Sequence, residues 1–492
     1  MKMRRWAWLA LLLAAGDLMA QSEPFKLGTL NFTDCDLKNR AQGELLGALC
    51  SRMEVPEDPA QPEGRKISLR IGLAKANTVE PLIDPVFFLA GGPGQSAVES
   101  FPQVAPGFAR ILEKRHVILV DQRGTGDSNA LKCEGAEGKS AFGAEDESLA
   151  AQAAFVRHCL DALKGKADPR FYTTSVAVTD LDRVRAAIGA DKINLIGGSY
   201  GTRAAQVYLR QFPERVRSIV LDGVVPPDLI LGNEHARNLE VAVKGIFQRC
   251  RDNPACQTAF VDPAADLKRL QAELRVRAIA VDYRDPKSGE ALKEDFTLAD
   301  LGGVVRLFAY APETAALLPL ALHEAVNGRP EALLAQSRLV MGDLGEQIMH
   351  AMQLSVICSE DAPFFEARDE DVDTIMGTAF VEVMQAQCAA WPKGARPDDF
   401  HAPQLSDVPT LLLSGEFDPV TPPRYGQSTV KHFSKGRHLV APGRGHGLML
   451  AGCMPRLIAE FVEDADAAKL DIKCLKNLPV IPAFVNRNGW EP

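Results

Sequence analysis

The segment 193–201, INLIGGSYG, constrains the fold more than any other part of this chain. An apolar run typical of a buried strand leads into Gly-x-Ser-x-Gly and then into sequence typical of a helix. The small residues beside Ser199 permit a tight, strained turn that lifts the serine hydroxyl out of a sheet. A simple glycine turn is the alternative, but it does not account for the strand and the helix on either side. The segment therefore predicts that Ser199 is a nucleophile.

A serine hydroxyl attacks well only when a histidine takes its proton, and that histidine needs a carboxylate to hold its tautomer. In chains with this turn, the acid and then the histidine follow the serine. Asp418 follows the apolar run 411–413, and His446 lies in a glycine-flanked loop after a later short strand. We therefore expect a triad of Ser199, His446 and Asp418.

Other residues compete for the roles of acid and base. Asp222 ends an earlier strand and is the main alternative acid, although the glycine after it also fits a turn aspartate. Glu416 lies close to Asp418. His432 and His438 are the other histidines beyond Asp418. They lie in a charged, helix-like stretch and at the start of a strand, which favours solvated or structural roles.

The developing oxyanion of an acyl-transfer reaction needs backbone N–H donors. One donor is expected from the residue after the nucleophile, Tyr200, and the other from the loop after an early strand. That loop is the segment 89–94, LAGGPG, whose glycines let a substrate approach the backbone. We expect the N–H of Gly92 to be the second donor.

Short apolar runs without alternation predict strands buried on both faces, as in a parallel sheet covered by helices. These runs occupy 86–89, 117–120, 193–196, 219–221, 411–413 and 439–440, and helix-like stretches occupy 178–188 and 202–212. From about 226 to 405 the strand runs disappear, and leucine and alanine recur at helical spacing. We expect a mostly parallel, doubly wound α/β sheet formed by 21–225 and 406–492, with a mainly helical cap, 226–405, over its carboxyl edge.

The first 20 residues predict a signal peptide. Three basic residues precede an apolar stretch at 6–15, and small and apolar residues lead to an expected cleavage after Ala20. The apolar stretch is about half the length that a membrane span requires. We therefore expect an exported protein, periplasmic or extracellular, with no membrane anchor in its mature form.

The charge and the cysteines narrow the set of partners. A net charge of −9 without basic runs gives no attraction for nucleic acid or anionic membranes.

An even number of cysteines in an exported chain predicts disulfides, and the spacing of the cysteines fits no structural zinc site. We expect neither metal nor cofactor. Short loops close most easily, so we expect neighbours to pair, as Cys35–Cys50, Cys133–Cys159, Cys250–Cys256, Cys358–Cys388 and Cys453–Cys474.

Taken together, the motifs resemble those of the proline iminopeptidases and tripeptidyl aminopeptidases of the α/β-hydrolase fold. The resemblance is carried by GGPG at 91–94, DQRGTGDS at 121–128, GGSYG around Ser199, FPERV at 212–216, DPVTP at 418–422 and GHG around His446. Ala90 replaces the histidine of the HGGPG motif of proline iminopeptidases. This difference and the cysteine-bearing frame are more similar to the secreted tripeptidyl aminopeptidase branch. The resemblance implies that Asp121 and Arg123 are structural and pair below the active-site loops.

This resemblance implies an exported serine aminopeptidase that releases residues or short peptides, such as tripeptides, from free peptide N-termini. An esterase or lipase is the alternative, and a noncatalytic binding protein is a weaker one. An aminopeptidase needs a carboxylate for the substrate ammonium group, and the cap is the part able to supply it. We expect Glu360 and Asp361 to do so, because Cys358 and the apolar stretch before it would hold them in place. A helix end followed by a proline turn is the alternative interpretation.

Overall fold

A computed structural model describes residues 23–38, 43–133 and 148–491 of the chain. The predicted signal peptide, 1–20, lies outside these residues. Within the described part, no helix is both long enough and apolar enough to cross a membrane.

Ten strands of the described residues form one large sheet, and two more form a separate hairpin. In chain order they are β1 (Phe25–Leu27), β2 (Leu30–Lys38), β3 (Leu45–Pro56), β4 (Lys66–Ala74), β5 (Val86–Leu89), β6 (Val117–Val120), β7 (Ile193–Gly198), β8 (Val216–Asp222), β9 (Ile279–Arg284), β10 (Ala291–Phe296), β11 (Thr410–Gly415) and β12 (Gly436–Ala441). The large sheet has the order β1-β2-β3-β4-β6-β5-β7-β8-β11-β12. From β6 to β12 its neighbouring strands are parallel, whereas β1 to β4 and β6 pair antiparallel.

The helices cover both faces of the sheet and fill the insertion. They are α1 (Ala97–Val104), α2 (Leu149–Leu163), α3 (Thr174–Ala187), α4 (Tyr200–Gln211), α5 (His235–Arg251), α6 (Pro254–Phe260), α7 (Pro263–Val276), α8 (Leu298–Phe308), α9 (Pro312–Ala315), α10 (Leu318–Val326), α11 (Glu331–Gln347), α12 (His350–Glu360), α13 (Ala379–Ala390), α14 (Pro423–Thr429) and α15 (Met454–Asp464).

The parallel half of the sheet confirms the predicted fold class. Each apolar run of the sequence is a strand or part of one, and β5, β6 and β11 are buried along their whole length. Two hydrophobic cores lie on opposite faces of this sheet, so both faces of its central strands are removed from water. Helices α3 and α4 correspond to the predicted stretches 178–188 and 202–212, and α4 ends just before Pro213 because proline cannot continue a helix.

The antiparallel strands at the amino-terminal edge were not predicted from the apolar runs. Strand β2 alternates buried and exposed residues over part of its length, and β3 is mostly half-buried. These strands carry polar side chains on a face that meets solvent, which is common in antiparallel sheets. A search for wholly apolar runs therefore passes over them.

The chain between β8 and β11 corresponds to the predicted insertion. Within the described residues it contains helices α5 to α13 and the hairpin β9–β10, which the helical spacing did not indicate. Helices α5, α7, α8, α10 and α11 share a hydrophobic core of their own. Helices α12 and α13 instead pack against α2 in a further core. We propose 226 and 405 as the limits of this cap.

The structure pairs the ten cysteines in five disulfides, each between the predicted neighbours: Cys35–Cys50, Cys133–Cys159, Cys250–Cys256, Cys358–Cys388 and Cys453–Cys474. One of them joins β2 to β3, and another joins α12 to α13 inside the cap. Among the described residues no cysteine is free.

The expectation that Asp121 and Arg123 pair needs correction, because each has other partners. The Asp121 carboxylate accepts hydrogen bonds from the Ser96 hydroxyl and from the Val98 amide at 3.0 Å, at the start of α1. The Arg123 guanidinium instead binds both oxygens of Asp180, at 2.7 and 3.0 Å. All of these side chains are buried. Asp121 thus anchors the helix that follows the GGPG loop, and Arg123 ties the DQRG turn to α3.

Candidate active site

Ser199 lies at a sharp turn between β7 and α4, where the sequence predicted it. Its backbone adopts φ 53° and ψ −123°, a conformation that is strained for a residue with a side chain. The glycines on either side are required by space. A Cβ on Gly197 would lie 2.4 Å from the carbonyl oxygen of Gly201, and a Cβ on Gly201 would lie 2.2 Å from that of Leu89. The turn leaves the Ser199 side chain half-buried at the carboxyl end of β7.

His446 and Asp418 lie at the carboxyl ends of neighbouring strands, in the loops after β12 and β11. Nδ1 of His446 is 2.8 Å from Oδ2 of Asp418. The Thr421 hydroxyl lies between them, 2.8 Å from that carboxylate oxygen and 3.1 Å from Nδ1. The other oxygen of Asp418 accepts hydrogen bonds from the amides of Val420 and Thr421, at 2.8 and 2.7 Å. Asp418 is thereby held in one orientation.

Electrostatics supports an ionised Asp418 beside a basic His446. Burial alone would raise the pKa of Asp418, but His446 and the two amides hold it below its ordinary value. Burial alone would lower the pKa of His446, but Asp418 and, after it, Asp222 raise it above its ordinary value. An ionised carboxylate only accepts hydrogen bonds, so Nδ1 of His446 carries the proton and Nε2 is left as the base.

Ser199 and His446 line the same cavity. No hydrogen bond joins them among the described residues. Hydrogen bonds between a catalytic serine and its base are often long in enzymes without substrate. Gly223 lets the imidazole ring pack against the backbone after β8, because a Cβ there would lie 2.9 Å from Cε1 of His446. On its other side the ring has an edge contact with Tyr310, at 5.1 Å between ring centroids.

The alternative acids and bases have other partners. Oδ2 of Asp222 accepts hydrogen bonds from the amides of Leu448 and Met449, at 2.7 and 2.9 Å, in the loop after His446. Burial raises the pKa of Asp222 to about 6. Glu416 binds the Gly443 amide at the surface. Nε2 of His438 is 3.0 Å from the Ser414 hydroxyl in the sheet.

The two expected oxyanion donors, Gly92 and Tyr200, both line the cavity. Gly91 also approaches Ser199, since a Cβ on this glycine would lie 3.2 Å from Cβ of Ser199. The cap contacts this loop through its backbone. The Met349 amide donates to the carbonyl oxygen of Gly94 at 2.9 Å, and Gln95 and Ile348 form an antiparallel bridge.

The expectation that Glu360 and Asp361 bind the substrate ammonium is not supported by their positions. Both carboxylates are completely buried, and neither lines the cavity. Glu360 accepts hydrogen bonds from the amide and hydroxyl of Thr174, at 2.7 and 2.9 Å. Asp361 forms an ion pair with Arg203 at 2.8 Å. The end of α12 points into the protein towards α3 and α4, an orientation that sequence spacing does not reveal.

Glu360 has a structural connection to the site instead. The Thr174 hydroxyl that it contacts is also 2.6 Å from the Tyr200 hydroxyl, and Gln122 donates to the same phenol at 3.2 Å. Burial raises the pKa of Glu360 to about 8. This buried network holds the ring of Tyr200, the residue that follows Ser199.

The cavity has a volume of about 870 Å³ and lies between the carboxyl edge of the sheet and the cap. Most of its lining is apolar. The carboxylates among the lining residues are Asp222 and Glu382, and the arginines are Arg275 and Arg306. Neither Arg306 nor Thr421 was predicted as a site residue from the sequence. The sequence did hold an indication for Thr421, since aspartate side chains such as that of Asp418 often form hydrogen bonds with residues shortly after them in a turn. Nothing in its local sequence distinguishes Arg306.

No metal-binding cluster of histidine, cysteine or carboxylate side chains occurs among the described residues.

Comparison with known proteins finds similarity along the chain. Residues 84–308 match the family described as alpha/beta hydrolase fold, and residues 373–474 match the family described as TAP-like protein. Serine protease Hip1 of Mycobacterium tuberculosis is 28% identical over 507 aligned positions, which cover 93% of this chain and 93% of the relative.

Two further relatives match over shorter regions. The tripeptidyl aminopeptidase of Streptomyces lividans is 30% identical over 201 residues, 36% of this chain and 35% of that protein. Carboxylesterase B of Mycobacterium tuberculosis is 34% identical over 246 residues, 46% of this chain and 43% of that protein. The region of the first family match contains Ser199, and that of the second contains Asp418 and His446. The chain therefore has the α/β-hydrolase fold, and it is similar to serine hydrolases of this fold, among them a serine protease and a tripeptidyl aminopeptidase.

Proposed function

We propose that this protein is an exported serine aminopeptidase that cuts short peptides from free peptide N-termini. The observation that carries the proposal is the 2.8 Å contact between Asp418 and His446, placed beside a strained Ser199 in a cavity that the cap covers. A carboxylate, an imidazole and a serine in this order supply acyl transfer without a cofactor.

In the proposed mechanism, Ser199 Oγ attacks the carbonyl carbon of the scissile peptide bond while Nε2 of His446 takes the hydroxyl proton. Asp418 stays ionised and stabilises the imidazolium. The backbone N–H groups of Tyr200 and Gly92 hold the tetrahedral oxyanion. His446 then gives its proton to the leaving amine, and the C–N bond breaks to leave an acyl-enzyme ester. Water, deprotonated by His446, hydrolyses that ester and regenerates Ser199.

The relatives support a peptide as the substrate. The relative that matches over 93% of this chain is named a serine protease, and the Streptomyces relative is named a tripeptidyl aminopeptidase. Release of tripeptides is accordingly the finer form of the proposal. The cavity of about 870 Å³ between the sheet edge and the cap has room for a short peptide.

We propose Glu382 as the receptor for the substrate ammonium group. The carboxylates that line the cavity within the described residues are Asp222 and Glu382. Asp222 is buried, and one of its carboxylate oxygens accepts a hydrogen bond from the backbone of the loop after His446. Glu382 lies in the first turn of α13, where Oε1 accepts a hydrogen bond from Thr378 at 2.7 Å, and it is exposed. It is therefore the carboxylate that an incoming ammonium can reach.

An esterase is the second candidate, favoured by the match to carboxylesterase B and by the apolar lining of the cavity. Chromogenic aminoacyl, dipeptidyl and tripeptidyl amides, each free and N-acetylated, separate the two candidates. An aminopeptidase should cleave free tripeptidyl amides with the highest kcat/KM. Its kcat/KM for the N-acetylated tripeptidyl amides should be at least about tenfold lower. Cleavage of esters without cleavage of any amide would establish the esterase, and equal rates on free and acetylated amides would exclude an aminopeptidase.

The role of Glu382 is tested with the same substrates. Glu382→Gln should raise KM for free tripeptidyl amides by about tenfold or more, because a charged hydrogen bond is lost. It should leave KM for acetylated substrates unchanged. Asp373→Asn serves as the matched control, since Asp373 is an exposed cap carboxylate already paired with Arg275 at 3.0 Å. Equal losses on free and acetylated substrates would remove Glu382 from this role.

Export is supported by the five disulfides, which are typical of oxidising compartments. Expression of the full chain with periplasmic and medium fractions collected separately tests it. The recovered protein should begin at Gln21. Recovery of the intact chain from the cytoplasm alone would contradict export.

A further inference from the structure

Arg306 is a cavity-lining arginine for which the side chains described by the structure provide no carboxylate partner. It lies in the last turn of α8 and is half-buried. Among the side chains that the structure describes, no carboxylate forms an ion pair with its guanidinium. The guanidinium instead lies over the ring of Phe380, 5.8 Å from its centroid. A positive charge that is partly removed from water normally has a counter-charge.

The ring beneath Arg306 is held in place from several sides. His235 packs against Phe380 at 5.2 Å between ring centroids, and a Cβ on Gly232 would lie 2.3 Å from the Phe380 ring. Phe380 and His235 both line the cavity, as Arg306 does. The aromatic ring therefore holds one face of the guanidinium at the cavity wall. The N–H groups at the edge of the guanidinium stay available to a ligand.

Arg306 lies within electrostatic reach of the catalytic base. Its positive charge opposes protonation of His446, although Asp418 outweighs it, and it also contributes, after burial, to lowering the pKa of His235. The backbone connects the two residues as well: Tyr310, four residues after Arg306, accepts a hydrogen bond from the His446 amide at 2.7 Å and has an edge contact with the imidazole ring. A group bound by Arg306 therefore lies on the His446 side of the cavity. The other cavity arginine, Arg275, differs because Asp373 neutralises it at 3.0 Å.

We propose that Arg306 binds a carboxylate of the substrate next to the scissile bond. A guanidinium matches the two oxygens of a carboxylate with parallel hydrogen bonds. That carboxylate can belong to an acidic side chain at the cleaved bond or to the C-terminus of a short peptide. The proposal rests on the proposed function for its substrates, and it adds a preference for an anionic residue that the triad does not provide.

Three pairs of substrates test the inference, each with and without one negative charge. The first pair is two tripeptidyl p-nitroanilides that end in Glu or Gln. The second is tetra-alanine with a free or an amidated C-terminus. The third pair consists of mono-p-nitrophenyl glutarate, which keeps a free carboxylate, and methyl p-nitrophenyl glutarate, in which that carboxylate is methylated. Hydrolysis of this pair needs only serine hydrolase chemistry. The quantity measured is the ratio of kcat/KM within each pair, for the wild type and for Arg306→Gln, Arg306→Lys and Arg275→Gln.

The wild type should favour the charged member of at least one peptide pair, and of the ester pair, by about 10- to 150-fold, the size expected for a charged hydrogen bond. Arg306→Gln should bring the ratio close to one, Arg306→Lys should keep part of it, and Arg275→Gln should leave it unchanged. A preference in the first pair identifies an acidic side chain as the ligand, and one in the second pair identifies the terminal carboxylate. Thermal melts of both Arg306 variants show whether they are folded. If Arg306→Gln is misfolded, the ratio in a folded Arg306→Lys still tests the inference.

The inference is overturned if the wild type shows no charge preference in any pair, or if Arg306→Gln keeps the wild-type ratio. If no peptide is cleaved but the ester pair shows a preference that depends on Arg306, the anion site stands and the aminopeptidase proposal fails. If free peptides are cleaved without any preference, the aminopeptidase proposal stands and the anion site fails.

Discussion

Oδ2 of Asp418 accepts a hydrogen bond from Nδ1 of His446 at 2.8 Å, and it does so from complete burial. Asp222, at the end of the neighbouring strand β8, contacts the loop after the histidine and not its ring. The two aspartates therefore differ in what they hold: one holds the imidazole, and the other holds the backbone that carries it.

The first prediction compares these two aspartates. Asp418→Asn should lower kcat by about 10⁴-fold, because an amide stabilises the wrong tautomer of His446. It should also move the acidic limb of the pH profile to lower pH, since Asp418 keeps the pKa of His446 above its ordinary value. Asp222→Asn keeps an oxygen for the Leu448 and Met449 amides and should cost about tenfold or less. A larger loss in Asp222→Asn would reverse the assignment of the acid.

The second prediction concerns Thr421, whose hydroxyl contacts both Asp418 and His446. Thr421→Val keeps the shape but removes this contact, and we expect kcat to fall about 10- to 100-fold as the imidazole loses part of its orientation. Thr421→Ser restores the hydroxyl and should recover most of the rate. The acidic limb of the pH profile should shift in Thr421→Val and not in Thr421→Ser. A purely structural role would change the thermal stability of both variants and leave the limb in place.

The third prediction concerns the strain at Ser199, where φ is 53°. Ser199→Ala keeps the Cβ and the strain, and it should remove at least about a thousandfold of kcat. Ser199→Gly should be equally inactive, but it should have a free energy of unfolding about 1 kcal/mol higher than Ser199→Ala, because glycine adopts this conformation without penalty. Urea denaturation of both variants measures the difference. Equal stabilities would show that the turn is not strained.

The fourth prediction uses the buried carboxyl of Glu360. Burial raises its pKa from 4.5 to about 8, so between these values the folded chain holds a proton that the unfolded chain releases. Stability should therefore fall as the pH rises through this window, by at most about 1.4 kcal/mol per pH unit from this group. Glu360→Gln mimics the protonated acid and should flatten the slope between pH 5 and 8, as measured by denaturation across that range. Parallel slopes would contradict this account.

The central strands and the positions of Ser199, Asp418 and His446 at the ends of strands were predictable because their signals are local. Strands such as β5 and β6 are continuous apolar runs, and Ser199 lies in a turn whose glycines are dictated by contacts within a few residues and one neighbouring strand. Asp418 and His446 each follow a strand, so the sheet brings them together. Neighbouring cysteines likewise pair over short loops.

The direction in which a cap helix faces was not predictable in the same way. Glu360 and Asp361 were expected to face the substrate, yet α12 turns them towards Thr174 and Arg203, which are far away in sequence. Arg306 stands out only in the structure, where Phe380, from a helix more than 70 residues later, lies beneath its guanidinium. Partners that lie so far apart along the chain leave no periodicity or spacing in the sequence.

The backbone contacts of Gly94 with Met349 and of Gln95 with Ile348 have a consequence for how such enzymes diversify. A cap is commonly treated as a module that can be exchanged on a constant hydrolase frame. Here the GGPG loop is partly built by the cap itself, and a Cβ on Gly94 would lie 2.8 Å from the carbonyl oxygen of Met349. A foreign cap grafted onto this frame would need to reproduce the edge at 348–349, so we expect the cap and the loop to be transferable only as one unit.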